Sequence, residues 1–374
     1  MSGRRRFGAL LVALAGLLCV ACIPSKPLRL GFIGGLSGPV ADLGESGRDG
    51  ALLAVEEINA AGGIGGRRVE LHLIDDGQDE EQAAAAVETL AREGVELIIG
   101  PLTSAMGVAA LPVAERLGVL LVSPTITASR FVGRDDQLLL VSPHVGEITR
   151  RFAVHLHAQG VRRLALAYDT RNLAFSADWA LHLREALRAL GTEVVAEVPF
   201  VSGEFASYET SLRELLAAHP DALHFVASAV DTVRLLQVVR LLHVDLPSSA
   251  AAWAATEHLI QLGGRSVEGL VVSQRFGRGV ARPRFPACRT PFRARFSQGP
   301  GCVAVAAYDA TCAALTAYAK RAPGASLKAT LLSIPAFEGV QQTWSFDAQG
   351  DATRQVSVAR VHDGRFVALE DRFP

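Results

Sequence analysis

The sequence has few cysteines and no large excess of charge of either sign. Its 374 residues include five cysteines, and 37 lysines and arginines nearly balance 38 aspartates and glutamates. A formal net charge of −1 gives no indication of nucleic-acid binding or of a basic membrane-binding surface. After residue 22, no apolar run approaches the ~20 residues that span a bilayer. Any electrostatic attraction to a ligand must therefore come from helix termini and loops.

Motifs of catalysis and metal binding are also missing. The sequence contains no G-x-S-x-G, H-E-x-x-H, C-x-x-C or G-x-x-x-x-G-K-[ST]. His155 and His157 are two positions apart on a predicted helix, so they point to different faces and cannot share a metal ion. The run G-G-I-G-G at 62–66 follows a predicted helix, which argues against a dinucleotide fingerprint. We therefore expect a binding protein without cofactor or metal, not an enzyme.

Three cysteines follow the N-terminal region. Cys288 and Cys302 could close a disulfide in an oxidising compartment, and the sequence leaves this pairing open. Cys312 lies in an alanine-rich helical pattern, where a thiol acts as a small buried apolar group.

The N-terminus predicts export. Three arginines at 4–6 precede an uncharged run that ends in small residues before Cys22, which is the pattern of a secretory signal peptide over residues 1–22. The position of Cys22 also resembles that of the lipidated cysteine in bacterial lipoprotein signals, although Cys19 stands where leucine is usual. We expect a periplasmic protein whose contact with the membrane is a lipid anchor on Cys22.

The rest of the chain alternates strands and helices in two successive series. Short apolar runs such as 97–99 and 119–122 are typical of strands covered on both faces of a parallel sheet. The alternation restarts near residue 145, and the last segments predict antiparallel strands joined by tight turns. The predicted fold class is α/β, with two doubly wound, Rossmann-like lobes.

Hydroxyl side chains follow two of the predicted strands. Thr103 and Ser104 come just after one strand, and Thr125 and Thr127 come just after the next. Ligands of open α/β sheets bind at the carboxyl ends of the strands, and a helix N-terminus such as the one at Ser104 attracts carboxylate or phosphate. This pattern predicts an anion-binding cradle. Alternatively, Ser104 is a helix N-cap and the threonines are turn residues.

Two further loops hold polar candidates. Ser37 follows the first predicted strand in a glycine-rich loop, where it could donate a hydrogen bond to a ligand. Asp75 and Asp76 end the second strand, either as functional carboxylates or as a solvated turn.

Several short segments, in this order and spacing, resemble the type I periplasmic binding proteins, and most closely the leucine/isoleucine/valine-binding proteins of ABC transporters. They are G-F-I-G-G-L-S-G-P at 31–39, A-V-E-E-I-N-A-A-G-G-I-G-G at 54–66, L-I-D-D at 73–76, I-I-G-P at 98–101, V-S-P-T-I-T at 122–127, W-A-A-T-E-H-L-I-Q-L-G-G-R-S-V-E-G at 253–269 and A-A-Y-D-A at 306–310. The resemblance implies two lobes joined by three crossings, with the ligand trapped between them on closure. Lobe 1 would comprise 28–144 plus 274–338, and lobe 2 would comprise 145–273 plus 339–374.

The resemblance also implies site residues. In the family, a serine and a threonine hold the ligand's carboxylate, and they fall on Ser104 and Thr127, with backbone amides near Thr125. The family's tyrosine in lobe 2 falls near Phe175, and Trp253 is a candidate wall of the pocket. Tyr308 could close the cleft from the hinge side.

One position departs from the family pattern. The glutamate that binds the ligand's ammonium falls on Ala252. A buried ammonium without a partner costs several kcal/mol, so either Asp231 or Glu257 substitutes, or the ligand is not an α-amino acid.

These observations predict a solute-binding lipoprotein that captures a small carboxylated solute, such as a branched-chain amino acid or a relative. Its partner would be the permease of an ABC importer, and no nucleic acid is implied. The alternative is a ligand-sensing receptor component that reuses the same fold for a ligand that is not an amino acid.

Overall fold

The first lobe is built on a five-stranded parallel sheet. The computed structural model describes residues 26–274 and 284–369; the predicted signal peptide and Cys22 lie outside them. The sheet has the order β2-β1-β3-β4-β5, and its elements are β1 Leu28–Gly34, α1 Ala41–Ala60, β2 Val69–Asp75, α2 Glu80–Arg92, β3 Leu97–Ile99, α3 Ser104–Leu117, β4 Leu120–Ser123 and β5 Leu138–Leu140. Leu97 and Ile99 enter one apolar cluster while Ile98 enters another on the opposite face. The continuous apolar runs therefore reflect a sheet covered by helices on both faces.

The second lobe is built on a seven-stranded sheet of order β14-β13-β10-β9-β8-β6-β7. Strands β6 to β10 are parallel, and β13 and β14 add an antiparallel edge. Its elements are α4 Val145–Ala158, β6 Arg163–Asp169, α5 Leu173–Ala189, β7 Glu193–Phe200, α6 Phe205–Ala217, β8 Ala222–Val226, α7 Ala229–Leu241, β9 Ser248–Ala250, α8 Glu257–Gly263 and β10 Val271–Gln274, completed by β13 Ser357–His362 and β14 Arg365–Ala368. The two-lobed α/β prediction is confirmed.

Between β10 and β13 the chain returns to the first lobe. This part contains α9 Arg284–Phe296, α10 Cys302–Lys320, α11 Leu327–Ser333 and the short hairpin β11 Phe337–Glu338 with β12 Thr343–Trp344. A β-bridge joins Leu140 of β5 to Asp351. The chain therefore stays with lobe 1 as far as residue 352 and crosses to lobe 2 before Ser357, later than the crossing that the sequence placed at 338–339.

The apolar spacing of Leu52, Val55 and Ile58 predicts a helix that begins at Ala51, but α1 begins at Ala41. Its first half contains glycines because it packs closely against backbone. A Cβ atom added to Gly50 would lie 2.1 Å from the Ala304 carbonyl oxygen of α10, and one added to Gly44 would lie 1.9 Å from the Gly35 carbonyl oxygen. Because glycine has no side chain, these positions do not show the apolar spacing of a helix in the sequence. The same lack of a side chain permits the close contacts of α1 with the backbone of neighbouring segments.

Helix α10 is, in the described part of the chain, the one helix long and apolar enough to cross a membrane by length and composition. However, 67% of its most apolar window is buried. Since its buried residues join the same apolar cluster as residues of α1, α10 is a core helix of lobe 1.

Cys288, Cys302 and Cys312 form no disulfide bond within the described residues. The pairing of Cys288 with Cys302 that the sequence left open is therefore not present. Cys288 and Cys302 pack instead in a small apolar cluster with Phe292, where thiols act as apolar groups.

Candidate functional site

The two lobes meet at the carboxyl ends of their strands, around a small, partly open cavity. We call it the inter-lobe cavity. It is lined by Leu43, Leu102, Thr103, Ser104, Thr125, Asn172, Phe175 and Trp253. The structure thus brings together four of the predicted site residues, namely Ser104, Thr125, Phe175 and Trp253. The cavity volume of about 20 Å³ suffices for a water molecule. The lobes must therefore separate before a larger solute can enter.

The N-terminus of α3 points its amides toward the other lobe. The N-cap is Thr103, not Ser104, and its side chain makes no capping hydrogen bond. The Ala105 N–H instead donates to the Asn172 side-chain oxygen, 3.1 Å away. Asn172 belongs to lobe 2 and is only 4% exposed. One amide that an incoming carboxylate would use is therefore satisfied from the opposite lobe while the lobes are together.

The loop after β4 is held in place by its first serine. The Ser123 hydroxyl donates to the Pro101 carbonyl oxygen at 2.6 Å and accepts from the Ile126 N–H at 3.1 Å. The Thr125 hydroxyl donates to the Leu102 carbonyl oxygen. These bonds tie the two hydroxyl-bearing loops together, so the cradle is fixed before any ligand arrives.

Thr127 follows in the same loop but does not line the inter-lobe cavity. It is fully buried, and its hydroxyl has no hydrogen-bond partner within the described residues. Its carbonyl oxygen accepts from the Val145 N–H at 2.8 Å, next to the first crossing. A buried hydroxyl without a partner is costly unless a ligand satisfies it.

Aromatic rings form the wall contributed by lobe 2. Phe175 and Trp253 meet edge to face, with ring centroids 5.8 Å apart and planes at 87°. Ala252 lies beside Trp253 in a short 3₁₀ turn and is 7% exposed. Ala252 itself does not line the cavity, and it is the position on which the resemblance places the family's ammonium-binding glutamate.

Asp231 does not reach the cavity, which corrects one prediction. It is 1% exposed at the start of α7, and its carboxylate accepts from the hydroxyls of Ser202 (2.8 Å), Ser228 (2.7 Å) and Tyr208 (2.6 Å). Burial and the bond to Asp231 raise the pKa of Tyr208 to about 12, so the phenol remains a donor. Asp231 therefore anchors the core of lobe 2.

Glu257 lies in a second hollow between the lobes, which corrects another prediction. This hollow is lined by Asp42, Glu45, His258 and Gly301, among others, and none of these residues lines the inter-lobe cavity. The Thr256 hydroxyl donates to Asp42 there at 2.7 Å, and burial raises the pKa of Asp42.

Tyr308 and Ser37 are also placed away from the cavity. The Tyr308 hydroxyl donates to Glu57 at 2.5 Å, and Tyr308 lines a cavity of about 510 Å³ within lobe 1. The Ser37 hydroxyl binds the Asp75 carboxylate in the turn after β1. Both predicted contacts with the ligand are absent from the described cavity lining because these side chains are engaged inside lobe 1.

Asp76 is not part of a solvated turn, because it is fully buried. Its Oδ1 accepts from the Gln78 N–H at 3.0 Å, and Oδ2 has no partner in the described part of the chain. Burial raises the pKa of Asp76 to about 6. Gln78 in turn accepts from the Thr103 hydroxyl at 3.2 Å, which links this carboxyl indirectly to the cavity.

Several hydrogen-bonded pairs of described residues cross between the lobes near the cleft, among them the Cys302 thiol and the Ala255 carbonyl oxygen at 3.3 Å. Besides Ala105 with Asn172 and Asp42 with Thr256, the Ser129 hydroxyl and N–H donate to Asp178 at 2.6 and 2.7 Å. The structure therefore shows the lobes closed on each other.

Metal-ligand groups are scarce across residues 26–274 and 284–369. One candidate group exists, formed by Glu268, His362 and Asp363, and all three are exposed on lobe 2. The His362 ring already contacts Glu268 at 3.0 Å. The group lies outside the cavity lining, so it plays no part in the candidate site.

Sequence reasoning missed Asn172. A single asparagine between Arg171 and Leu173 has no motif around it, and its partner Ala105 is 67 residues away. The usable signal was its position just after β6, at the sheet edge where ligands bind.

Comparison with known proteins agrees with this geometry. A family model described as periplasmic binding protein matches residues 27–365. The Leu/Ile/Val-binding protein of Escherichia coli K12 is 25% identical over 252 residues, which are 67% of this chain and 68% of that protein. The leucine-, isoleucine-, valine-, threonine- and alanine-binding protein of Pseudomonas aeruginosa is 23% identical over 93% of this chain and 92% of its own length.

A solved structure shows the same fold. The branched-chain amino acid transporter substrate binding protein LivJ from Streptococcus pneumoniae, in complex with isoleucine, superposes with a TM-score of 0.85 at 24% identity. The superposition covers 92% of this chain and 99% of the other.

Proposed function

The chain belongs to the type I periplasmic binding protein family, and from this membership we propose that it is the extracytoplasmic solute-binding component of an ABC importer. Members of this family are solute-binding transport proteins, not enzymes. The solute would be a branched-chain amino acid or a related small carboxylate, because the curated relatives are Leu/Ile/Val-binding proteins. The partner that receives the solute would be the importer's permease.

The observation that carries the proposal is the position of the inter-lobe cavity. It lies where the carboxyl ends of two parallel sheets face each other, and the N-terminus of α3 opens into it through Ser104. Backbone N–H groups at a helix N-terminus favour an anion, and hydroxyls beside them add donors. Ser104 and Thr127 would bind the solute's carboxylate, while Phe175 and Trp253 would contact its apolar part.

The closed lobes support capture by hinge motion. A cavity of about 20 Å³ cannot admit an amino acid, so binding requires opening about the three crossings and closure over the solute. The hydrogen-bonded pairs between the lobes would form again on closure. The lobes in this proposal are 28–144 with 284–352, and 145–274 with 357–369.

Thermal unfolding of residues 23–374 tests the proposal. The panel contains amino acids and small carboxylates at millimolar concentration. A solute present at about 1,000 times its dissociation constant stabilises the fold by about 4 kcal/mol, which shifts the midpoint by several degrees. Ser104→Ala should abolish the shift. Ser37→Ala is the matched control, because Ser37 binds Asp75 and should leave the shift intact.

A panel in which no carboxylate shifts the midpoint would contradict the proposal, as would a shift that survives in Ser104→Ala.

The membrane anchor is a separate part of the proposal. Cys22 would carry the lipid, and the described chain begins only four positions later, at Lys26. Expression of the full chain in bacteria should place it in the membrane fraction with incorporated labelled fatty acid. Cys22→Ser should release it without label. A labelled Cys22→Ser protein would exclude this anchor.

A further inference from the structure

The described lining of the inter-lobe cavity contains no charged side chain. Four of its residues are apolar and four are polar, and the polar groups are the hydroxyls of Thr103, Ser104 and Thr125 and the amide of Asn172. The hydroxyls of Thr103 and Thr125 already donate to Gln78 and to the Leu102 carbonyl oxygen. The donors that remain for a carboxylate include the Ser104 hydroxyl, the Asn172 amide and N–H groups at the N-terminus of α3. An α-ammonium group has three N–H donors and no acceptor, so it requires a carboxylate or several carbonyl oxygens.

The two acidic residues that could replace the family's glutamate are not available to a solute. The Asp231 carboxylate already accepts from three hydroxyls in the core of lobe 2. Turning it toward the cavity would leave these buried donors without their acceptor.

Glu257 is kept from the cavity by its position. It lines the second hollow between the lobes, and a Cβ atom on Gly301 would lie 2.1 Å from its Oε2. Its carboxylate therefore points toward the chain that leads into α10. Neither the Asp231 carboxylate nor the Glu257 carboxylate therefore lines the inter-lobe cavity.

Ala252 directly precedes Trp253, a residue of the apolar side of the cavity, and does not itself line the cavity. It is buried, and its neighbour Trp253 packs edge to face on Phe175. An ammonium group placed against this surface would lose its hydration without gaining a charged partner. A methylene group at the same place would gain from the apolar contact.

We propose that the solute is a small apolar monocarboxylate without an α-ammonium group. This inference rests on the proposed function and narrows its substrate class. The carboxylate binds at the N-terminus of α3, and an aliphatic or aromatic body contacts Phe175 and Trp253. The protein selects against α-amino acids because it offers their ammonium group no counter-charge.

Matched pairs of compounds test the inference by calorimetry on residues 23–374. Isocaproate has the carbon skeleton of leucine without its amine, and phenylacetate has that of phenylglycine. We expect at least one of these acids to bind at least about tenfold more tightly than its amino-acid partner. Equal or tighter binding of leucine and phenylglycine would overturn the inference.

The outcomes separate the inference from the proposed function. If leucine binds more tightly and Ser104→Ala abolishes binding, the transport proposal stands and only the inference fails. If no compound with or without an amine binds, both fail.

Substitution at position 252 provides a second test. Ala252→Glu introduces a carboxylate at the family's position and should shift the affinity ratio toward leucine by about tenfold or more. Ala252→Gln introduces a side chain of nearly the same size as glutamate but without its charge. It should leave the ratio of the affinities for isocaproate and leucine near that of the wild type. An unchanged ratio in a folded Ala252→Glu protein would contradict the assigned role of position 252. If that variant does not fold, the calorimetry of the matched compounds on the wild-type protein still tests the inference.

Discussion

The side-chain oxygen of Asn172 accepts a hydrogen bond from the backbone N–H of Ala105, 3.1 Å away across the cleft. The bond joins the segment before α5 in lobe 2 to the first turn of α3 in lobe 1. It gives a free amide of that helix an acceptor when the lobes are closed. The same amide is a donor that a bound carboxylate would use, so Asn172 and the solute would compete for it.

Removal of this contact should favour the open state of the protein without solute. Asn172→Ala deletes the acceptor, and we expect a larger radius of gyration in small-angle X-ray scattering than for the wild type. Asn172→Asp keeps an oxygen at the same place and should remain as compact as the wild type. Identical scattering curves for Asn172→Ala and the wild type would show that the bond does not hold the lobes together.

The buried ion pair between Arg354 and Asp309 should stabilise the end of lobe 1. Their side chains are 2.8 Å apart and almost fully buried, and the Arg354 guanidinium lies 4.4 Å from the Trp344 ring centroid. Arg354→Met should lower the free energy of unfolding by roughly 3–5 kcal/mol, because it strands a buried carboxylate. Denaturant titration measures this loss.

The double variant Arg354→Met with Asp309→Asn should be more stable than Arg354→Met alone, since the stranded charge is removed. A double variant that loses the sum of both single effects would indicate that the pair is not coupled.

Asp76 should make the protein less stable as the pH rises. Burial raises its pKa to about 6 from a usual value of 3.8. The folded state therefore binds a proton more tightly than the unfolded state, and stability present below pH 4 is lost as the pH passes 6. The shift corresponds to at most roughly 3 kcal/mol. We expect Asp76→Asn to be more stable than the wild type at pH 7 and to lose that advantage at pH 4, as measured by urea unfolding.

Asp75→Asn is the control, because the pKa of Asp75 is shifted in the opposite direction from that of Asp76. Partial burial opposes charge on Asp75, but hydrogen bonds from the Ser37 hydroxyl and the Gly77 N–H prevail and lower its pKa. This variant should lose stability at pH 7 and be closer to the wild type at pH 3. If Asp76→Asn changes the free energy of unfolding by the same amount at pH 7 and pH 4, the raised pKa of Asp76 is refuted.

Gly50 should tolerate no side chain. A Cβ atom there would lie 2.1 Å from the Ala304 carbonyl oxygen, so Gly50→Ala must push α1 from α10, at a cost of about 1–3 kcal/mol. Gly146→Ala in α4 is the matched control, because its Cβ atom would meet no atom closer than 3.4 Å. It should be neutral or stabilising by up to about 1 kcal/mol, since alanine favours helix. Thermal unfolding of both variants tests the contrast, and equal losses would contradict it.

The sequence by itself determined the order of strands and helices and the location of the anion cradle. Apolar runs such as 97–99 and hydroxyls that follow them are local features, and the parallel α/β architecture brings all carboxyl ends to one edge. These local features place Ser104 and Thr125 at one cleft, whereas Phe175 and Trp253 are placed there by the resemblance to the family.

The tertiary structure alone decided which remaining polar residues face that cleft. Asp231 and Tyr308 bind partners inside their own lobes, and Asn172 reaches an amide 67 residues away. The course of α1 was likewise decided by a helix more than 200 residues later, because its glycines fit the backbone of α10. A side chain's orientation depends on partners distant in the chain, and neither periodicity nor spacing carries that information.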